Sequence, residues 1–163
     1  NPVTGCDQIS PGCAHCYAET LTKNRMGLSL WGVNADRQVT KSPWQHVRQW
    51  QKAARNGEPG ILGAGQPHLV FTGSLMDWAE DRPDLIDARA RLWQTVRDSP
   101  HLHFQMLTKR PENILRMLDP AELTGMLEQD GKAEINCHFC ANSYVFTAEE
   151  LGRMLRQSQA GNA

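Results

Sequence analysis

The sequence predicts an α/β protein, a parallel strand–helix–strand domain followed by a small zinc-ribbon-like C-terminal module. Three observations predict it. First, two short apolar runs, residues 68–73 and 102–107, flank a segment with helical spacing. A strand–helix–strand crossover of that length requires parallel pairing. Second, the five cysteines fall in two groups, Cys6, Cys13 and Cys16, then Cys137 and Cys140. Third, the charge balance changes near residue 119: residues 1–118 carry 14 Lys+Arg against 11 Asp+Glu, and residues 119–163 carry 3 against 7. These observations divide the chain into an α/β domain, 1–118, and a C-terminal module, 119–163.

Composition narrows the function classes. The chain has 163 residues, 40% hydrophobic and 21% charged, as expected of a folded domain. No apolar run approaches the roughly 18 residues a membrane span needs, so no membrane partner is expected. No basic, then apolar leader opens the chain. It begins at Asn1 rather than Met, as a fragment would. Neither part is basic enough to indicate nucleic acid by charge. An odd number of closely spaced cysteines makes a poor disulfide framework. Without an export signal the expected compartment is the reducing cytoplasm, where such clusters bind metal or do redox work.

In chain order, residues 1–13 read as loop, with Pro2, Gly5, Pro11 and Gly12. Cys13 to Met26 reads as a helix with Tyr17, Leu21 and Met26 on one face. Ser42-Pro43-Trp44-Gln45 reads as N-cap, N1 proline and capping-box Gln, opening a helix that stops at Gly57. Residues 57–67 are Gly- and Pro-rich loop. His68 to Gly73 reads as a buried strand. Pro83 opens a helix to Ser99 whose apolar face is Leu85, Ile86, Leu92, Trp93 and Val96. Leu102 to Leu107 is the second strand, followed by a helix around Ile114 to Leu118. A helix starts at Asp119-Pro120. Strands at Ala133–Asn136 and Tyr144–Phe146 flank the second cysteine pair, and Thr147 with Glu150 caps a last helix.

The first cysteines are spaced Cys-x6-Cys-x2-Cys. Three thiolates on one segment cannot close a tetrahedral zinc site, but they can hold three irons of a cubane and leave the fourth open. The stretch Gly5-Cys6 … Ser10-Pro11-Gly12-Cys13-Ala14-His15-Cys16-Tyr17-Ala18-Glu19 resembles the three-Cys-motif, radical-SAM-like proteins common in phages and bacteria. Val70 to Asp77 is similar to that family's second-strand motif, and Phe104 to Glu112 to its third. The resemblance covers about residues 1–118. It implies a truncated, partial (β/α) barrel of radical-SAM type, a 4Fe-4S cluster on Cys6, Cys13 and Cys16, and S-adenosylmethionine at the open iron. In such enzymes the reduced cluster cleaves the sulfonium and gives a radical that abstracts hydrogen from a substrate. The remaining cofactor contacts would fall on the Gly73-Ser74 backbone for the methionine amine, Lys109 or Arg110 for its carboxylate, and His15 and Tyr17 beside the adenine. Asp77, in the second-strand motif, joins this candidate set. The resemblance names no substrate. The six-residue first gap departs from the commonest radical-SAM spacing of three.

The second group is Cys137-His138-Phe139-Cys140. A lone Cys-x2-Cys supplies only two ligands. Its surroundings, from Met126 through Asn136 and from Tyr144 through Leu151, resemble the C-terminal redox switch of the heat-shock chaperone HslO over residues 120–155. That resemblance implies zinc on Cys137 and Cys140, released on oxidation with exposure of a client-binding surface. The upstream Cys-x-Cys of that switch is absent here. Three readings stand open: a radical-SAM-like iron–sulfur protein, incomplete in this chain; a redox-regulated holdase fragment; and a structural or protein-partner-binding remnant of a chimeric reading frame.

Overall fold

Proline and glycine set many of the boundaries at which this chain changes direction. The computed structural model describes residues 1–118, 120–136 and 143–160. Its elements are β1 (Val3–Thr4), α1 (Tyr17–Met26), β2 (Gln38–Val39), α2 (Pro43–Arg55), β3 (His68–Thr72), α3 (Ile86–Arg97), β4 (Leu102–Met106), α4 (Pro111–Arg116), α5 (Pro120–Gln129), β5 (Lys132–Asn136), β6 (Ser143–Thr147) and α6 (Ala148–Ala160). Helices α2, α4 and α5 each begin on proline, whose fixed φ suits the first helical position. The chain divides into two compact units, Asn1–Lys109 and Arg110–Ala163; the change in charge balance near residue 118 lies inside the second. Among the described residues the strands form three separate two-stranded sheets and no closed barrel. No helix among them is long and apolar enough to cross a membrane.

The centre of the first unit is the parallel pair β3–β4, in register from His68 opposite Leu102 to Thr72 opposite Met106. Helix α2 covers one face: Val47 packs on Val70 and Leu102, with Ala54 and Phe104 beside them. The other face carries Leu69, Phe71, His103 and Gln105. Phe71 is 56% exposed, so β3 is half-covered rather than wholly buried. Side chains alternate along a strand, and α2 reaches only one set.

The loop expected at the N-terminus contains β1, which pairs antiparallel with β2, Val3 against Val39. Beyond it Gly5 bridges to Met76 and Cys6 to Trp31. Val3, Leu85 and Ala88 form a small core with Met76 against it. Three local readings are corrected. The first helix starts at Tyr17, after a 3-10 turn at Pro11–Cys13. Its buried residues are Ala18 and Thr22, while Tyr17 and Met26 are exposed, because the Trp31 indole docks on Thr22 Oγ1 at 2.6 Å and favours the small face. Ser42 makes no side-chain cap; Pro43 and the bond from the Gln45 N–H to the Ser42 carbonyl begin α2 instead. Ile86 is 58% exposed and Ala88 takes its place in the core, because a 3-10 turn at Pro83–Leu85 shifts the phase of the helix.

The second unit packs α5 and α6 on the antiparallel pair β5–β6, with α4 against α6. Leu115, Leu123, Ala133 and Leu151 are its buried core, with Met126, Leu127, Phe146 and Met154 against it. The predicted capping box forms: the Thr147 N–H donates to Glu150 Oε2 at 2.8 Å, and the Glu150 N–H donates to Thr147 Oγ1 at 3.4 Å. The Thr147 N–H and the Thr147 hydroxyl, both donating to Glu150 Oε2, hold that carboxyl below the usual carboxylate range. Their support is therefore present at neutral pH and lost as pH falls through that lowered value. Thr147→Ala should cost about 1 kcal/mol in urea denaturation. Cys137 and Cys140 lie outside the described residues.

Candidate functional site

The site is built where β3 and β4 end, at the pole expected of a parallel unit. Gly73, after β3, has φ +99°, and a Cβ there would lie 2.7 Å from the Leu107 carbonyl oxygen. The close approach lets the Leu107 N–H donate to the Thr72 carbonyl at 2.9 Å, extending the pairing past the strands.

Asp77 then fastens the two strand ends. Its buried carboxylate accepts the Thr108 hydroxyl at 2.6 Å, the Lys109 N–H at 3.0 Å and the Ala79 N–H at 3.1 Å. With its backbone held, Lys109 reaches the cysteine segment. Its ammonium donates to the Gly12 carbonyl at 2.9 Å and lies 3.6 Å from Cys13 Sγ. Cys13 is buried on the 3-10 turn, with Ser10 Oγ 3.6 Å from its sulfur. Burial alone would raise this thiol. The backbone N–H groups of Ile9 and Ser10, the Ser10 hydroxyl and the Lys109 charge outweigh it, and the pKa falls to about 7.

Cys16 is the residue before α1, with its N–H on the Cys13 carbonyl at 3.1 Å. Tyr17, exposed, donates its hydroxyl to the Ser74 carbonyl at 2.9 Å. Ser74 exchanges hydrogen bonds with the Asn1 side chain, which also accepts the Leu75 N–H. Cys6 follows Gly5, whose N–H donates to Leu75 at 2.9 Å, and its own carbonyl accepts the Gly32 N–H. Thus Cys13, Gly73, Ser74, Asp77, Tyr17 and Lys109 belong to one hydrogen-bonded neighbourhood. His15 is exposed beside it. Arg110 is buried and begins the second unit, before α4.

Three thiols are a suitable donor set for a cluster, and Cys13 is already near its thiolate form. Among the described residues, however, no three His, Cys, Asp or Glu side chains stand as a group that could hold a metal ion. Cys6, Cys13 and Cys16 form no disulfide. In metal-free protein, the thiolate ultraviolet absorbance should rise with a midpoint near pH 7, a component missing in Cys13→Ser. A pKa below the unfolded value of about 8.5 adds stability above that value, which is lost as pH falls through 7.

Sequence reasoning missed the ion pair in the same unit. Arg37 Nε donates to Glu80 Oε2 at 2.9 Å, and its terminal nitrogen to Oε1 at 2.7 Å. The two side chains are 1% and 5% exposed. The guanidinium also donates to the carbonyls of Ala35, Gly32 and Leu30. Glu80 is a buried anchor for the loop before β2. No local pattern joins residues 43 apart.

A family model described as a protein of unknown function (DUF5131) matches residues 1–149, running through the change in charge balance. Curated relatives match over short stretches. The 33 kDa chaperonin of Desulforamulus reducens is 45% identical over 53 residues, 32% of this chain and 18% of that protein. The 33 kDa chaperonin of Bacillus pumilus is 54% identical over 43 residues, 26% of this chain and 15% of that one. The chain spans less than a fifth of the length of these relatives. The crystal structure of the 33 kDa chaperonin of Thermotoga maritima aligns at 20% identity over 76% of this chain and 39% of that one, with a TM-score of 0.29 that assigns no shared fold.

Proposed function

We propose that this chain, which belongs to the DUF5131 family of proteins of unknown function, acts through its cysteine thiols and carries a redox-responsive module of the chaperonin type. The observation that carries this reading is the identity of 45% over 53 residues and 54% over 43 residues to 33 kDa chaperonins. The resemblance of residues 120–155 to the redox switch of that chaperone points the same way. On this reading Cys137 and Cys140 are the working groups, as thiolate ligands of zinc. A peroxide would convert the pair to a disulfide: the two thiolates give up two electrons, and the peroxide takes them with two protons from solvent to become two waters. A disulfide no longer supplies the two thiolate ligands that zinc would need. Lacking the upstream Cys-x-Cys, this pair completes its coordination with other donors and holds zinc less tightly than four thiolates would.

A second reading is favoured by a specific observation, the Lys109 ammonium 3.6 Å from Cys13 Sγ at the strand ends. Cys6, Cys13 and Cys16 would hold a 4Fe-4S cluster, with S-adenosylmethionine beside it; when bound, such a cluster supplies one-electron reduction. In that arrangement Lys109 steadies the Cys13 thiolate by charge, and Asp77 fixes Lys109 by its backbone. Tyr17 orients the Ser74 carbonyl, leaving the Gly73-Ser74 segment to meet the methionine amine.

One experiment separates the readings: zinc, iron and sulfide content after anaerobic purification of the native chain, Cys16→Ala and Cys137→Ala. The first reading expects zinc that disappears in Cys137→Ala, with peroxide releasing zinc and consuming two thiols. Iron and sulfide lost only in Cys16→Ala would establish the second. A preparation that binds none of the three overturns both and leaves a partner-binding remnant.

A further inference from the structure

We propose that the groove between α2 and the end of α3 binds a chain of phosphates, such as the backbone of single-stranded nucleic acid or a polyphosphate. The groove has a volume of about 390 Å³. Arg48, Lys52 and Arg55 line it from α2, and Thr95, Asp98 and Ser99 from the α3 end. A second hollow of about 380 Å³ continues along α2, adding the amide side chains of Gln45 and Gln49. The track therefore offers guanidinium, ammonium and amide donors in succession, and its one carboxylate, Asp98, already accepts Gln94 Nε2 at 2.8 Å.

The net charge of the whole chain, -1, conceals this arrangement. Helix α2 contains no acidic residue. Positions 48, 52 and 55 follow i, i+4, i+7 and fall on one flank, a row about 10 Å long at 1.5 Å per residue. Like charges at that spacing repel and weaken an isolated helix. None of the three forms a salt bridge among the described residues. A fourth cation, Arg91, lies 4.5 Å over the Trp44 ring. Trp44 itself lines the groove and is nine-tenths or more buried, so its ring forms the groove's floor rather than a free donor. A row of cations without ion-pair partners calls for a ligand with repeated charge and many acceptor oxygens. Arginine's planar fork matches phosphate oxygens in pairs.

The test is the anisotropy of a short labelled oligothymidylate with the full chain, across a salt series, with inorganic polyphosphate and poly-glutamate as competitors. The native chain should bind, and polyphosphate should compete far better than poly-glutamate of equal charge. Arg48→Gln with Lys52→Gln should weaken binding by about tenfold or more and reduce the salt slope by about 1.4, at about 0.7 per neutralised phosphate of a single strand. Arg25→Gln with Lys41→Gln, which removes the same charge elsewhere, should change affinity less than twofold. Binding of oligothymidylate without competition by polyphosphate would assign the groove to nucleic acid, and direct binding of polyphosphate alone would assign it to that polymer. Failure to bind either polymer at low salt, equal competition by poly-glutamate, or an unchanged slope in the groove variant would overturn the proposal.

Discussion

Glu80→Ala should destabilise the protein by about 3–5 kcal/mol in chemical denaturation, the largest effect expected of any single truncation here. The reason is what remains. Arg37 is 1% exposed at its side chain, and among the described residues Glu80 is the carboxylate that it grips, through two hydrogen bonds. Removing Glu80 leaves a buried guanidinium facing backbone carbonyls without the carboxylate that held it. Arg37→Ala should cost a similar amount, since it removes the two-pronged partner of a buried carboxylate. Replacing both at once, Arg37→Met with Glu80→Leu, should recover most of that loss, because a well-packed apolar pair avoids desolvating either ion. A double variant as unstable as the sum of the singles would show that the pair does not act as a unit.

Gly73→Ala should cost about 3 kcal/mol or more, through two separable causes. The backbone φ of +99° is strained for any residue with a Cβ, and the new carbon would stand 2.7 Å from the Leu107 carbonyl oxygen. Gly27→Ala isolates the first cause: its φ is +64° with nothing within 4 Å of the added carbon, so it should cost only about 1 kcal/mol. Gly73→Ala should also raise the Cys13 pKa from its value near 7. Pushing β3 and β4 apart where they end displaces the loop from which Lys109 reaches the sulfur. Equal losses from the two alanine variants would mean that the strand ends have room to separate.

Much of the fold could be read locally. Pro43 and Gly57 frame α2 because one fixes φ and the other accepts the left-handed region after the helix. The spacing of the two apolar runs gave the parallel pairing of β3 with β4. Thr147 and Glu150 formed their box because both partners lie within one helical turn. What stayed hidden depends on partners far away. Strand β1 is two residues long and exists because β2 reaches it from position 38. Glu80 turned inward because Arg37 meets it there. Phe71 is exposed on the sheet face opposite the one that α2 covers. At the site, the cysteines and the strand-end residues were legible as separate motifs. Their joining through Asp77 and Lys109 was not, since a hydrogen bond across 97 residues has no trace in the order of the letters.

That fastening has a kinetic consequence. The Asp77 carboxylate closes a circuit from the β4 end to the cysteine turn, so these segments should open as one cooperative unit rather than fray separately. In native-state hydrogen exchange, the amides of Lys109 and Cys13 should share one opening free energy although they lie 96 residues apart. Asp77→Asn should lower the protection of both together. The turn that presents the thiols would then owe its persistence to the far end of its own unit, and its lifetime would set how long the thiols stay arranged.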